Sequence, residues 1–343
     1  LHLSIRRQRQ MCIRDRCYSD YHIMKGEWSH PLPAVLGHEG AGIVERVGPG
    51  VTRLAPGQTV ILNFRANCGI CHYCIIGRPV LCNGIDSPRN TMFDGSSRLS
   101  KDGQTIHHFA RTACFAEFAV VPESGAVPVR ADMPLDKGCL VGCAVMTGVG
   151  SVINTAKIEA GSSVAVIGCG GIGLNAVQGA RLLNSRKIIA VDILDHKLEF
   201  SCKFGATDVI NPRNNNALDR IQEITDGEGV DFAFDTFGST QTTVQAFESV
   251  RKGGTAVVIG LPPVGDRAPI DLVDMVRNEK KLVGSFYGSS SPHATFGQLV
   301  DFYLREKIDI ESLITRKYRL DQINDGFSAL ARGEDGRGIV VFD

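Results

Sequence analysis

From residue 163 to residue 260 the chain alternates short apolar runs with amphipathic stretches at a spacing that few folds can accommodate. Ser163-Val-Ala-Val-Ile reads as a buried strand, 174–183 as a helix and Lys187-Ile-Ile-Ala-Val-Asp192 as a second strand. Helix 197–204, strand 208–210, helix 217–225, strand 230–235, helix 240–250 and strand 255–260 continue the rhythm. Parallel neighbours must be joined by a crossover, usually a helix, so this alternation specifies an α/β doubly wound parallel sheet. Before it, from Gly37 to Val60, Val/Ile runs are broken by Gly and Pro, and 115–121 reads as a further strand. That texture predicts a β-rich, barrel-like domain with tight turns. After about residue 288 come a helix over 293–306, a second over 323–332 and a strand over 338–342.

Gly168-Cys169-Gly170-Gly171-Ile172-Gly173 satisfies G-x-G-x-x-G between the first strand and the first helix of the alternating region. Alone the pattern is weak. The preceding strand, the following helix and Asp192 at the end of the next strand make it a dinucleotide (Rossmann) fingerprint. Gly168 permits the tight turn, Gly170 lets the backbone approach a pyrophosphate, and Gly173 allows close helix–strand packing. The helix start at Gly171 and Ile172 turns N–H groups and a positive dipole end toward the phosphates. Asp192 can accept hydrogen bonds from ribose hydroxyls and repels a 2′-phosphate, so NAD is expected over NADP. Lys197 can reach the same ribose, or it can be a solvated helix lysine.

A second feature is Asn67-Cys68-Gly69-Ile70-Cys71-His72-Tyr73-Cys74, closed by Cys82. Thiolates at C-x2-C-x2-C-x7-C can converge on one tetrahedral zinc ion. Paired disulfides fit two-residue gaps poorly, and the common iron–sulfur run closes with a three-residue gap. Four protein ligands leave no open position, so this zinc is structural and the chemistry lies elsewhere. Other candidate zinc ligands, Cys17, His38 and Cys143, are scattered and form no spacing motif of their own.

Bulk composition narrows the setting. At 343 residues the chain suggests two domains, and 43% hydrophobic with 22% charged residues is ordinary for a globular protein. Lys+Arg equals Asp+Glu, at 37 each, so no net field recruits nucleic acid or an anionic membrane. No apolar run is expected to span a bilayer, and the free cysteines point to a reducing, cytoplasmic location. The first sixteen residues stand apart, with five arginines (Arg6, Arg7, Arg9, Arg14, Arg16) against Asp15 and no evident strand alternation. A basic arm or a transit peptide would account for them; a non-native or mis-assigned start is the preferred reading.

The motifs occur in a specific order: Cys17-Tyr18-Ser19-Asp20-Tyr21-His22, then Gly37-His38-Glu39-Gly40, the four-cysteine lobe, Gly142-Cys143 with Thr147, and the glycine loop. From Cys17 onward the chain resembles the zinc-dependent medium-chain alcohol dehydrogenases. Asp94-Gly-Ser-Ser-Arg98 and Ile106-His-His-Phe109 are most similar to the dimeric branch. The resemblance implies a GroES-like catalytic domain over 1–144 with the zinc lobe at 67–83, a Rossmann NAD-binding domain over 145–287, and a C-terminal return at 288–343. It implies two zinc ions per chain, with Cys17, His38 and Cys143 as ligands of the catalytic one, and reversible hydride transfer between an alcohol and NAD. A proton relay would run from Ser19 through the nicotinamide ribose to His22, whose imidazole suits exchange with water. Asp20 and Glu39 would orient ligands and tune the metal's charge, and Thr147 and Arg337 would contact the cofactor. A substrate pocket near Ser19, Trp28, Phe64 and Thr147, and a homodimer through an edge near 281–286, complete the expectation.

Three departures bear on it. The family has additional residues before its first zinc cysteine that form early strands, and here only the basic stretch precedes Cys17. A chain lacking those strands would leave sheet edges open and could bind NAD without a working catalytic metal. Tyr18 stands where several members hold a basic residue against a cofactor phosphate. The glutathione-dependent branch places an arginine soon after the last lobe cysteine, whereas Asn83-Gly-Ile-Asp86 follows here, which disfavours an S-(hydroxymethyl)glutathione substrate. A polyol remains the other alternative.

Overall fold

A computed structural model describes residues 2–6, 10–11, 18–332 and 336–342; for 2–6, 10–11 and 18 it describes the backbone only. The chain forms two compact units, one of residues 1–146 with 290–343, the other of residues 147–289.

The second unit holds a six-stranded, wholly parallel sheet. Its order is Asp208–Ile210, Lys187–Val191, Ser163–Ile167, Val230–Asp235, Val250–Val258, Lys281–Gly284. Ser163–Ile167 is buried at every position, which its uninterrupted apolar run requires of a strand covered on both faces. Ala165, Ile189, Ala233 and Ala256 form the sheet's inner row and pack with Ile221 and Phe247 from the covering helices. Helix boundaries follow local chemistry. Asn216 Oδ1 accepts from Leu218 N, Ser239 and Thr242 form a capping box, and Gly205 at φ 118° ends helix Asp195–Phe204.

The first unit is β-rich. A five-stranded sheet runs Phe118–Pro122, His2–Arg6, Ala41–Val47, Thr59–Leu62, Ala126–Pro128, with antiparallel neighbours throughout. Two three-stranded sheets accompany it: Ile314–Tyr318, Arg337–Val341, Gln10–Met11, and Ala34–Val35, Gln104–His108, Leu99–Lys101. Its core joins both chain segments, packing Val44, Val60, Leu62 and Val121 with Phe327 and Phe342.

Two sequence expectations are corrected. The arginine-rich opening supplies strands after all: His2–Arg6 pairs on both sides, with Phe118–Pro122 and with Ala41–Val47, and Gln10–Met11 pairs with Arg337–Val341. The pattern was there to read, since Leu3 and Ile5 flank Ser4 at the two-residue period of a strand. The expectation of no apolar run long enough to cross a bilayer also fails, because Leu135–Ala156 is one helical run of 22 residues that meets that test by length and composition. Most of its apolar window is buried in the protein, as in a core helix.

Candidate functional site

The four-cysteine lobe is built around a short helix, His72–Ile75, and a 3-10 turn, Pro79–Leu81. The sulfur atoms of Cys68 and Cys74 lie 4.0 Å apart, Cys71 and Cys74 3.5 Å, Cys71 and Cys82 3.8 Å, and Cys82 and Cys68 3.5 Å. Four ligands at a zinc–sulfur length of ~2.3 Å stand about 3.8 Å from one another, so the donor set fits this ion. Backbone N–H groups support the sulfurs, Cys71 N to Cys68 Sγ and Cys68 N to Cys82 Sγ, each at 3.3 Å. Hydrogen bonds from the Cys74 and Asn83 backbone hold the Cys71 thiol down to about 6, while burial pushes Cys74 up to about 12. Gly84 is part of the cradle and escaped the sequence reading. A Cβ there would lie 2.7 Å from Cys68 Sγ and 3.0 Å from Cys71 Cβ. The lobe is tied to the sheet by Arg65, whose Nε and Nη2 donate to Val80 O, and by the Asn67–Ser124 pair.

The second cluster centres on His38. Its Nδ1 lies 2.9 Å from Asp20 Oδ2, and Asp20 Oδ1 accepts from Gly37 N at 2.8 Å. A carboxylate only accepts, so Nδ1 carries the ring proton and Nε2 presents its lone pair. Phe64 and Phe109 meet the imidazole edge-on, with centroids at 5.1 and 5.3 Å. His38, Glu39 and Cys143 are all buried and bring one ligand atom each within 4.8 Å of one another. Cys143 sits in a π-helical turn, Val141–Val145. Gly142 beside it packs so closely that a Cβ would lie 2.9 Å from Leu62 O. An imidazole nitrogen and a thiolate converging in a buried pocket fit a zinc ion. Cys17, the third expected ligand, lies outside the described residues.

Gly37 is held from a direction the sequence gave no sign of. Its carbonyl accepts from Thr112 Oγ1 at 2.8 Å and from Cys114 N at 3.0 Å. The turn that delivers Thr112 places Ala110, Arg111 and Ala113 in the left-handed region, at φ 52°, 59° and 45°. Such residues cost roughly 1–2 kcal/mol each, and here they fix the residue next to a candidate ligand.

The other expected residues are placed as follows. Ser19 and His22 are half-buried, three apart on helix Tyr18–Met24 and so on one face. His22 Nδ1 pairs with Glu27, and its ring stacks on Trp28 at 4.7 Å. Glu39 is fully buried with Arg337 Nη1 at 3.5 Å from its Oε2. Arg337 is itself buried, and its guanidinium nitrogens make no hydrogen bond among the described residues. Thr147 is buried and accepts at its carbonyl from Ser151 Oγ.

In the second unit the glycine loop has the geometry that a dinucleotide requires. Gly168 is at φ 95°, and a Cβ on Gly173 would fall 1.8 Å from Gly168 O. Helix Gly171–Leu182 begins directly after Gly170, with Ile172 in its first turn. Asp192 Oδ2 accepts from Cys169 N at 2.8 Å, Oδ1 accepts from Leu194 N at 3.1 Å, and Lys197 Nζ lies 3.7 Å from Oδ1. The glycine-only cradle and the carboxylate beside it fit a nicotinamide dinucleotide. Missed in sequence was Asp235, fully buried at the end of its strand. It accepts from Phe237 N, Gly238 N and Thr243 Oγ1, and burial pushes its carboxyl above the ordinary range. Its signal was a carboxylate at the C-terminal end of a parallel strand, where such sheets bind ligands.

The Asp20 contact gives a test. In Asp20→Asn one oxygen must serve two N–H donors, so zinc held through His38 should be released to a chelator 10–100-fold more readily. The structural zinc should be unaffected, with both measured as metal retained per chain.

Residues 14–131 match the family described as alcohol dehydrogenase GroES-like domain, and residues 171–305 match the zinc-binding dehydrogenase family. The chain is 37% identical over 331 residues to alcohol dehydrogenase 1 of Trifolium repens, covering 94% of this chain and 87% of that protein. An alcohol dehydrogenase zinc-binding domain protein from Burkholderia ambifaria superposes with a TM-score of 0.93 at 32% identity, covering 100% of this chain and 92% of that one. Benzyl alcohol dehydrogenase from Acinetobacter calcoaceticus gives 0.90 at 32% identity, with the same coverage of each chain. With both family matches in the order of the two units, and a relative sharing more than a third of its residues across nearly the whole chain, this protein belongs to the zinc-dependent medium-chain alcohol dehydrogenases.

Proposed function

We propose that this alcohol dehydrogenase divides its chemistry among Cys17, His38 and Cys143 as catalytic zinc ligands, Ser19 and His22 as proton carriers, and the Gly168–Gly173 loop with Asp192 as the NAD site. The observation that carries the reading is the Asp20–His38 contact, which turns one imidazole nitrogen toward a buried thiol. When bound, zinc acidifies an alcohol hydroxyl and NAD accepts the hydride, giving an aldehyde from a primary alcohol or a ketone from a secondary one.

The protein's part is positioning and proton handling. Asp20 fixes the tautomer of His38 and, through Gly37, the backbone that presents it. Ser19 Oγ both accepts and donates, so it can take up a proton and hand it on. His22, one turn along the same face, exchanges it with water, and its bond to Glu27 fixes the orientation of the ring that does so. Glu39 and Arg337 balance each other's buried charge, and the guanidinium nitrogens without hydrogen bonds offer donors to a cofactor phosphate. Asp192 favours NAD through the ribose hydroxyls, with Lys197 and Thr147 as further cofactor contacts. The protein works in the cytoplasm as a homodimer, paired through the edge strand Lys281–Gly284.

Metal analysis of the purified protein should give two zinc ions per chain, and a panel of aliphatic, benzylic and polyol alcohols with NAD should yield carbonyl products. A single zinc, retained until the protein unfolds, would overturn the assignment of Cys17, His38 and Cys143.

A further inference from the structure

We propose that Thr236 is a positioning residue for the dinucleotide, acting through the peptide unit that joins Gly168 to Cys169. The inference rests on the NAD site proposed above and adds to it a residue from a different strand.

Thr236 follows the last residue of strand Val230–Asp235, which pairs with the strand leading into the glycine loop. Its hydroxyl lies 2.6 Å from Gly168 O and 3.1 Å from Ile167 O. With one proton to give, it donates mainly to the nearer oxygen. On the other edge of the same peptide plane, Cys169 N donates to Asp192 Oδ2 at 2.8 Å. One peptide unit is therefore held at its oxygen by Thr236 and at its hydrogen by Asp192.

The surroundings leave this plane little freedom. Thr236 N donates to Ile167 O at 3.0 Å. The next two N–H groups, of Phe237 and Gly238, are taken by the buried Asp235 carboxylate, so Thr236 is fixed on both sides. Gly168 O in turn sits over the start of helix Gly171–Leu182, where a Cβ on Gly173 would strike it. A rotation of the peptide would displace that oxygen from its place beside Gly173, turn the N–H away from Asp192 and reshape the turn that must approach the pyrophosphate. The Thr236 hydroxyl opposes that rotation and thereby sets both the glycine turn and the direction of the Asp192 carboxylate.

The test uses the full-length, zinc-loaded protein and calorimetric titration with ADP-ribose, which carries the pyrophosphate and both riboses but undergoes no hydride transfer. Thr236→Val removes the hydroxyl at nearly constant shape and should weaken ADP-ribose about tenfold, the size of one lost buried hydrogen bond. Thr236→Ser keeps the hydroxyl and should bind within about threefold of the parent. Because Asp192 loses its orientation in the valine variant, the preference for NAD over NADP should also narrow, a change that loss of packing alone would not cause. Parent-like binding and preference in Thr236→Val, or a loss in Thr236→Ser equal to that in Thr236→Val, would overturn the proposal. Should Thr236→Val not fold, Thr236→Ala against Thr236→Ser makes the same comparison. A parent protein that fails to bind ADP-ribose at all would instead overturn the NAD site itself.

Discussion

Replacing Cys82 with serine should cost the protein one zinc ion per chain and leave residues 67–84 open to proteolysis, while the second zinc stays in place. Cys82 is the ligand most distant in sequence, and its sulfur lies 3.5 Å from Cys68 and 3.8 Å from Cys71. Without it the other three thiolates form an open set, and an alcohol oxygen is a poor substitute for a thiolate on this metal. Folding of such lobes is driven by the metal, with apparent binding energies of roughly 10–16 kcal/mol in isolated zinc-finger peptides. The damage should remain local, because Arg65 and the Asn67–Ser124 pair anchor the lobe's base to the main sheet. The checks are metal content by mass spectrometry and the rate of limited proteolysis within 67–84, which should rise about tenfold or more for a segment that loses its closing contact. Two zinc ions retained per chain would remove Cys82 from the ligand set.

Gly173→Ala should abolish useful cofactor affinity. The added methyl would start 1.8 Å from Gly168 O, so backbone must yield rather than a flexible side-chain tip. Overpacking of this kind typically costs 1–3 kcal/mol in a core. Here the strain falls on the peptide that also orients Asp192, so NAD binding should drop by about a hundredfold, equivalent to ~3 kcal/mol. Metal content should be unchanged and the circular dichroism near that of the parent. Parent-like NAD affinity in this variant would show that the loop does not hold the pyrophosphate.

These two sites were readable from the sequence because each imposes a requirement on residue type at fixed spacing. A backbone oxygen that close to a helix start admits only glycine at 173, and four sulfurs around one ion admit only cysteine at 68, 71, 74 and 82. The strands and helices of 163–260 were readable for a similar reason, since burial on both faces leaves continuous apolar runs. What escaped was set by contacts between distant segments. Thr112 supports Gly37 from 75 residues away and Thr236 supports Gly168 from 68 away, and neither threonine stands in any local motif. Gly84 is one glycine among 38, and only the position of Cys68 Sγ explains it. Leu135–Ala156 was obscured by its glycines at 138, 142, 148 and 150, which lower helix propensity although burial makes a helix the stable choice.

The π-helical turn that carries Cys143 makes chain length, and not only residue identity, a constraint on this enzyme. A π turn accommodates one residue more than the α turns that flank it, an arrangement that recurs at functional sites. Deleting any one residue between Val141 and Val145 would let the run close into ordinary α-helix, with its apolar character and burial nearly intact. The segments on either side would keep their phase, because the wide turn absorbs its extra residue locally, and only the residues inside the turn would be re-aimed. The Cys143 thiol would then lose the direction that the wide turn gives it toward His38, while the rest of the helix stayed packed. Single-residue deletions within this turn are therefore closed to divergence, whereas conservative substitutions of the helix's apolar residues remain open to it.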